Sequence, residues 1–219
     1  MINISISEDL LKNVPTLQLS IISCEVKIKE GSNELWEEIN KMASDIAVQL
    51  KVEDISKLPA IQASRKAYKA CGKDPARYRL SAEALLRRVV KKVDLYRINN
   101  VVDLLNLVSF SSGFSIGGYD MDKLNGEVVF GIGKKNEDYK GVGKGDLNIE
   151  FLPVFRDKEG AFGSPTSDSE RTRLTEETKH FLMILIGFGG NGILHETTDF
   201  AIELLRKYGN AENIQNQLI

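Results

Sequence analysis

Cysteine and histidine are scarce, with two of each in 219 residues beside a single tryptophan. Cys24 and Cys71 are too few for a disulfide framework and read as reduced thiols, which points to a cytoplasmic location. His180 and His195 do not cluster with them, so no three- or four-ligand metal site is visible and no cofactor is implied. Long hydrophobic runs are missing too. The longest, Phe181 to Phe188, contains Gly187 and falls far short of the roughly 20 residues that cross a bilayer. Met1 to Glu8 has neither a basic head nor a continuous apolar stretch, so no secretory leader is expected. Hydrophobic residues make up 42% and charged residues 27%, which excludes collagen-like and disordered classes. At this length one domain over 1–219 is expected, with a core that needs no disulfide or metal.

Charge is balanced overall at −2, which gives no general attraction to nucleic acid. Its distribution is uneven. Between Ala60 and Ile98 stand eleven basic residues against three acidic ones, a local +8 that leaves −10 for the remainder. One basic segment on an acidic body suits an anionic partner touched on one side; the alternative is a solvated helical face.

Periodicity predicts a long strand over Thr16–Lys29, with a bulge or a bend where the apolar phase changes at Ile21–Ile22. A helix should follow Ser32 as N-cap, carrying Leu35, Ile39, Met42, Ile46 and Leu50 on one face. Further helices are expected over Pro59–Ala70, stopped by Gly72, then over Ala82–Lys92 capped by Ser81, and over Asn100–Phe110. In the second half Glu127–Ile132, Leu147–Phe155 and Phe181–Ile186 read as strands, before a closing helix over Leu194–Tyr208. Helices first and strands later predict an α+β fold: mixed, largely antiparallel sheets with flanking helices.

Several motifs resemble chemistry without completing it. Gly187 to Gly192 fits G-x-G-x-x-G, but the tail from Gly209 to Gln215 offers no apolar second strand for a dinucleotide fold. Gly143-Lys144 is followed by Gly145 where a phosphate loop needs Ser or Thr, so Gly141–Gly145 reads as a turn. His195-Glu196 begins like a zinc-protease helix, yet Asp199 stands at the second histidine position. No nucleophile elbow accompanies a Ser-His-Asp set, and His180 reads as a surface or strand-end residue.

Three blocks are more specific. The first runs Arg65-Lys66-Ala67-Tyr68 through Gly72-Lys73-Asp74-Pro75 to Ser81-Ala82-Glu83-Ala84-Leu85-Leu86-Arg87-Arg88. The second is Ile98 to Asn106, followed by Gly117-Gly118-Tyr119-Asp120-Met121-Asp122-Lys123-Leu124. The third is Thr166-Ser167-Asp168-Ser169-Glu170-Arg171-Thr172 with Leu174-Thr175. In this order they resemble the B3/B4 editing domain of the phenylalanyl-tRNA synthetase β-subunit, and more closely the freestanding proteins built from that domain. Residues 60–205 carry the resemblance well; 1–59, an N-terminal strand and helix, are compatible with it.

The resemblance implies a B3/B4-like fold and hydrolysis, in trans, of the ester joining a wrong amino acid to tRNA. Such a second sieve is needed where an aminoacylation pocket cannot discriminate by binding alone. A positioned water could attack the activated ester without a protein nucleophile. Carried over residue by residue, Asn106 matches the asparagine of the editing pocket, and Gly160 matches a pocket glycine. Gly117 stands where the family usually has histidine. The pocket glutamate expected beyond Thr178 is missing, with Met183 or Ile184 near its place. Tyrosine, the synthetase's target, therefore does not carry over as substrate. Asn106 and Asp168 are the expected catalytic residues. Gly117, Tyr119, Gly160, Ser167, Arg171 and Thr172 are the expected substrate-binding set, in which an acid and a guanidinium would bind the aminoacyl group. The alternatives are a surface turn in which Asp168 and Arg171 pair, a helix residue bonding nearby backbone for Asn106, and a structural turn, the favoured reading, for Tyr119-Asp120. Arg65, Lys69, Arg87, Arg88 and Lys91 would neutralise tRNA phosphates. The competing readings are a non-catalytic tRNA- or amino-acid-binding module with this fold, and a small-molecule hydrolase or amino-acid binder with no RNA partner.

Overall fold

A computed structural model describes residues 2–190 and 192–219. The first half runs β1 (Ile4–Ile6), α1 (Glu8–Asn13), β2 (Gln18–Glu25), α2 (Asn33–Gln49), α3 (Pro59–Ala70), α4 (Ser81–Val90) and α5 (Asn100–Ser112). There follow β3 (Ser115–Asp120), β4 (Val128–Ile132), β5 (Lys140–Gly141), β6 (Gly145–Asp146), β7 (Pro153–Asp157) and β8 (Gly160–Gly163). Last come β9 (His180–Gly187), α6 (Leu194–Tyr208) and β10 (Glu212–Leu218).

Two four-stranded sheets, ordered β1-β4-β7-β8 and β10-β2-β9-β3, organise the chain. Every pairing except the parallel β1–β4 is antiparallel, which makes the fold mixed α+β as the pattern of elements predicts. The second sheet is the middle layer. On β9, Leu182, Ile184 and Ile186 pack with Val128, Phe130, Phe155 and Phe162 of the first sheet. The alternate residues Phe181, Met183 and Leu185 pack with Leu35, Leu86, Leu104 and Leu204 of the helical layer. A strand covered on both faces must be apolar throughout, which is why residues 181–186 show no alternation.

Local chemistry sets most helix boundaries. Ser32 and Asn99 cap α2 and α5 by accepting the Leu35 and Val102 N–H groups, and Gly113 ends α5 in the left-handed region at φ 80°. Pro59 opens α3 at a position where a missing N–H costs nothing. In α4, Ser81 is the first helical residue rather than the cap, and its N–H is held by the Pro165 carbonyl.

Three strand expectations are corrected. β2 pairs with β9 without a slip from Gln18 to Glu25, so the phase change at Ile21–Ile22 marks burial of both faces and not a bulge. The register shift lies in β10, between Glu212 and Gln215. The stretch 147–152 is not strand: the buried Lys73 amine donates to the carbonyls of Asn148 and Glu150 (2.9 and 2.5 Å), and Phe151 takes φ 66°. A strand does follow α6. β10 runs parallel to β9 but sits beyond the antiparallel β2, and its acid Glu212 lies at the opposite end of the sheet from Gly187. A dinucleotide site needs an adjacent strand with its acid at the glycine-turn end, so the G-x-G-x-x-G turn still lacks its partners.

Ile184, wholly buried on β9, tests the layering. Ile184→Ala should cost about 2–5 kcal/mol in urea unfolding, the range for truncating a core aliphatic residue.

Candidate functional site

The three sequence blocks meet at the loop 164–169 between β8 and the short helical turn Glu170–Thr172. From the first block, Tyr68 Oη shares a 2.8 Å hydrogen bond with Thr166 Oγ1, and the Ser81 N–H reaches the Pro165 carbonyl. From the second, the Gly118 N–H on the free edge of β3 donates to Asp168 Oδ2 at 3.3 Å. The loop is fastened internally as well: Ser164 Oγ accepts the N–H groups of Thr166 and Ser167 and donates to the Ser167 carbonyl. Tyr139 Oη donates to that carbonyl at 2.5 Å, and Lys144 Nζ donates to the Thr166 carbonyl at 2.8 Å.

Tyr119 defines the inner wall. Its ring leans back along β3 and packs edge-on against Phe162 with centroids 4.9 Å apart. Its hydroxyl lies between Gly117 and Gly163. A Cβ at either glycine would sit 2.0 or 2.1 Å from Tyr119 Oη, closer than any real contact. Glycine at 117 is therefore a steric requirement of this chain: the place of a residue-117 side chain is filled by the Tyr119 phenol. That hydroxyl is buried and makes no hydrogen bond among the described residues. It lies near enough to the Asp168 carboxyl to influence it, but not in hydrogen-bonding geometry.

Enclosure controls the titration of this cluster. Burial lifts the Asp168 carboxyl to about 7, against the opposing pull of Tyr119, the Gly118 N–H and Lys144. Burial and the Asp168 charge raise the Tyr119 and Tyr139 hydroxyls, and burial lowers Lys144. Asp168 is half-buried, so a carboxyl whose proton affinity is raised toward neutrality there still meets solvent, which suits general acid–base work.

The structure brings Gly117, Tyr119, Ser167 and Asp168 together. Asn106 is half-buried on α5 and makes no side-chain hydrogen bond among the described residues; its neighbour Leu105 packs over Gly118. Gly160 and Arg171 line a separate recess of about 630 Å³ with Tyr139 and Ser169. Arg171 does not pair with Asp168. It grips Asp157 (2.8 and 3.1 Å) and Glu159 (3.3 Å), so its guanidinium is occupied within the fold. Thr172 is wholly buried, its hydroxyl on the Phe162 carbonyl. Tyr139, Ser164 and Lys144 escape a reading by motif, and Tyr68 stands in the first block without an assigned role. The only signal was a lysine inside the Gly141–Gly145 loop, whose role is visible once that loop bridges Ser169 through Gly141.

The basic segment divides in two. Arg65 and Arg87 both bind Glu83, which is 1% exposed, at 2.9 and 3.0 Å. Arg88 donates to the Asp94 carbonyl and lies over the Tyr96 ring. Lys69 and Lys91 are exposed and unpaired among the described residues.

Residues 63–208 match the model of the B3/4 domain, and the chain belongs to that family. It is 28% identical over 140 residues to the phenylalanine–tRNA ligase beta subunit of Fusobacterium nucleatum subsp. nucleatum, covering 60% of this chain and 17% of that protein. The chain thus spans about a sixth of this curated relative. A crystal structure of an N-terminal fragment of the phenylalanyl-tRNA synthetase beta-subunit from Pyrococcus horikoshii aligns with a TM-score of 0.49 at 14% identity, over 99% of this chain and 50% of that one.

Two measurements test the cluster. Gly117→Ala should destabilise the protein by about 1–3 kcal/mol, the usual cost of overpacking, and Tyr119→Leu should recover part of that loss in the double variant. Additive effects would show that the two sites do not share this space. The second concerns pH. An unfolded Asp168 ionises near about 4, whereas the folded carboxyl holds its proton to about 7, so its contribution to stability falls as pH rises across that interval. Asp168→Asn should flatten this part of the stability profile; an unchanged slope would place the titrating group elsewhere.

Proposed function

We propose that this chain hydrolyses the ester of a mischarged aminoacyl-tRNA in trans. The observation that carries the reading is the half-buried Asp168 carboxyl, pushed up to about 7, beside a Tyr119 hydroxyl without a hydrogen-bond partner among the described residues, at the loop where the three sequence blocks meet. Likeness to a phenylalanine–tRNA ligase beta subunit over 60% of this chain supports a tRNA-borne ester as the class of substrate. In this scheme the ionised Asp168 takes a proton from a water as its oxygen attacks the ester carbonyl. The tetrahedral adduct then collapses, the carbon–oxygen bond to the ribose breaks, and the proton passes to the departing ribose oxygen. Tyr119 Oη offers its hydrogen to the oxyanion that forms between these steps. Lys69 and Lys91 supply free positive charge for phosphates, while Arg65 and Arg87 hold Glu83 and the α3–α4 packing.

One observation favours a second reading, a binding module without hydrolysis: the Tyr119 phenol fills the space of a residue-117 side chain, the position where the resemblance implies a histidine. A panel of mischarged tRNAs, non-protein amino acids included, separates the two by release of amino acid against gel shift. For the hydrolase, kcat should rise with pH through about 7 as Asp168 loses its proton, and Asp168→Asn should lower kcat by about 100-fold with tRNA affinity retained. Wild-type rates in Asp168→Asn would remove that residue from the chemistry, and a shift without release would establish the module. Converting Lys69 and Lys91 to Glu should raise KM and flatten its salt dependence.

A further inference from the structure

A second cavity, of about 930 Å³, lies away from Asp168, between α3, the end of α5 and the turn after β9. Its origin is legible in α3. The face turned toward Phe110, Phe114 and Phe188 carries Ala60, Ala63, Ala67 and Ala70, four methyl groups that cannot fill the gap. Leu50, Leu58 and Leu86 close the remaining sides. The volume falls inside the roughly 300–1,000 Å³ typical of small-ligand pockets, and the wall is apolar with few polar groups, the usual composition of such sites.

The charge of the wall is one-sided. Lys66 is its single charged side chain among the described residues, it is exposed at the mouth, and it forms no ion pair there. No acidic side chain lines the cavity among those residues. Ile193, also at the mouth, precedes α6 without giving it a side-chain cap, so the positive end of that helix adds to the same field, opposed in part by Glu196 in its first turn. A carboxylate gains charge attraction here that an alcohol, limited to neutral hydrogen bonds, does not, and a cation is repelled.

We infer that this cavity binds a small amphipathic carboxylate, its apolar body among Phe110, Phe114 and Phe188 and its carboxylate on Lys66. The inference does not rest on the deacylase reading, since no residue of the Asp168 cluster lines this space.

The test compares decanoate, decanol and decyltrimethylammonium by amide chemical-shift titration of the full chain. Decanoate should move the amides of Ala63, Lys66, Phe110 and Phe114, and should bind at least about tenfold more tightly than either of the others. Lys66→Gln, a change at an exposed position, should reduce decanoate to the level of decanol while leaving decanol unchanged. Ala63→Phe should abolish binding of all three by filling the space; should that variant unfold, the Lys66→Gln comparison decides alone. Equal affinity for the three probes, shifts confined to other surfaces, or decanoate binding indifferent to Lys66→Gln would each overturn the assignment.

Discussion

The strand β9 has neighbours in every direction: β2 and β3 beside it, the first sheet on one face and the helices on the other. Everything else follows from keeping that strand dry. Its six consecutive large apolar residues demand a second sheet and a helical layer, since neither cover alone would remove both faces from water. A sheet sealed above and below keeps its free N–H and C=O groups only at its edges. One edge is the polar β10. The other is β3, where the chain spends a carboxylate, Asp168, on the exposed Gly118 N–H.

That choice explains why the chemistry lies where it does. An edge N–H can be satisfied by a neutral carbonyl at low cost; a buried carboxyl raises its own affinity for a proton. Three tyrosines and a lysine stand around the loop that carries this carboxyl, each anchored by a carbonyl or hydroxyl except Tyr119 among the described residues. Among the described residues the Tyr119 hydroxyl is the member of this network left without a partner, and a buried polar group in that state calls for an explanation.

Regular elements were legible in the sequence because their signals are local. Ser32, Gly72 and the 3.6-residue spacing of α2 locate helices without reference to the rest of the chain, and the apolar run of β9 declares a strand buried on both sides. Lys73 was not legible in this way. Its effect on 147–152 depends on a contact between residues about 75 positions apart, and the apolar residues of that stretch imitate a strand. β10 was missed for the opposite reason: Asn and Gln carry little strand preference, and the sheet edge of β2 recruits them. At the site, the order of three blocks located the loop 164–169, while Arg171 misled because its partners, Asp157 and Glu159, flank a hairpin turn that the sequence alone did not mark. Glycine 117 carried the most information of all, but only the path of the Tyr119 ring makes it readable.

Helix α3 is a party wall. One side holds Thr166 through the Tyr68 hydroxyl, and the other, through its alanines, bounds the lipophilic hollow at Phe188. Whatever fills that hollow without moving the helix is invisible to the carboxyl beyond it. An occupant that displaces the helix must work against the phenol–threonine bond, and by reciprocity a molecule tightening that bond would weigh on the occupant by the same free energy. The stiffness of twelve residues thus sets whether the two compartments keep separate accounts or answer to each other.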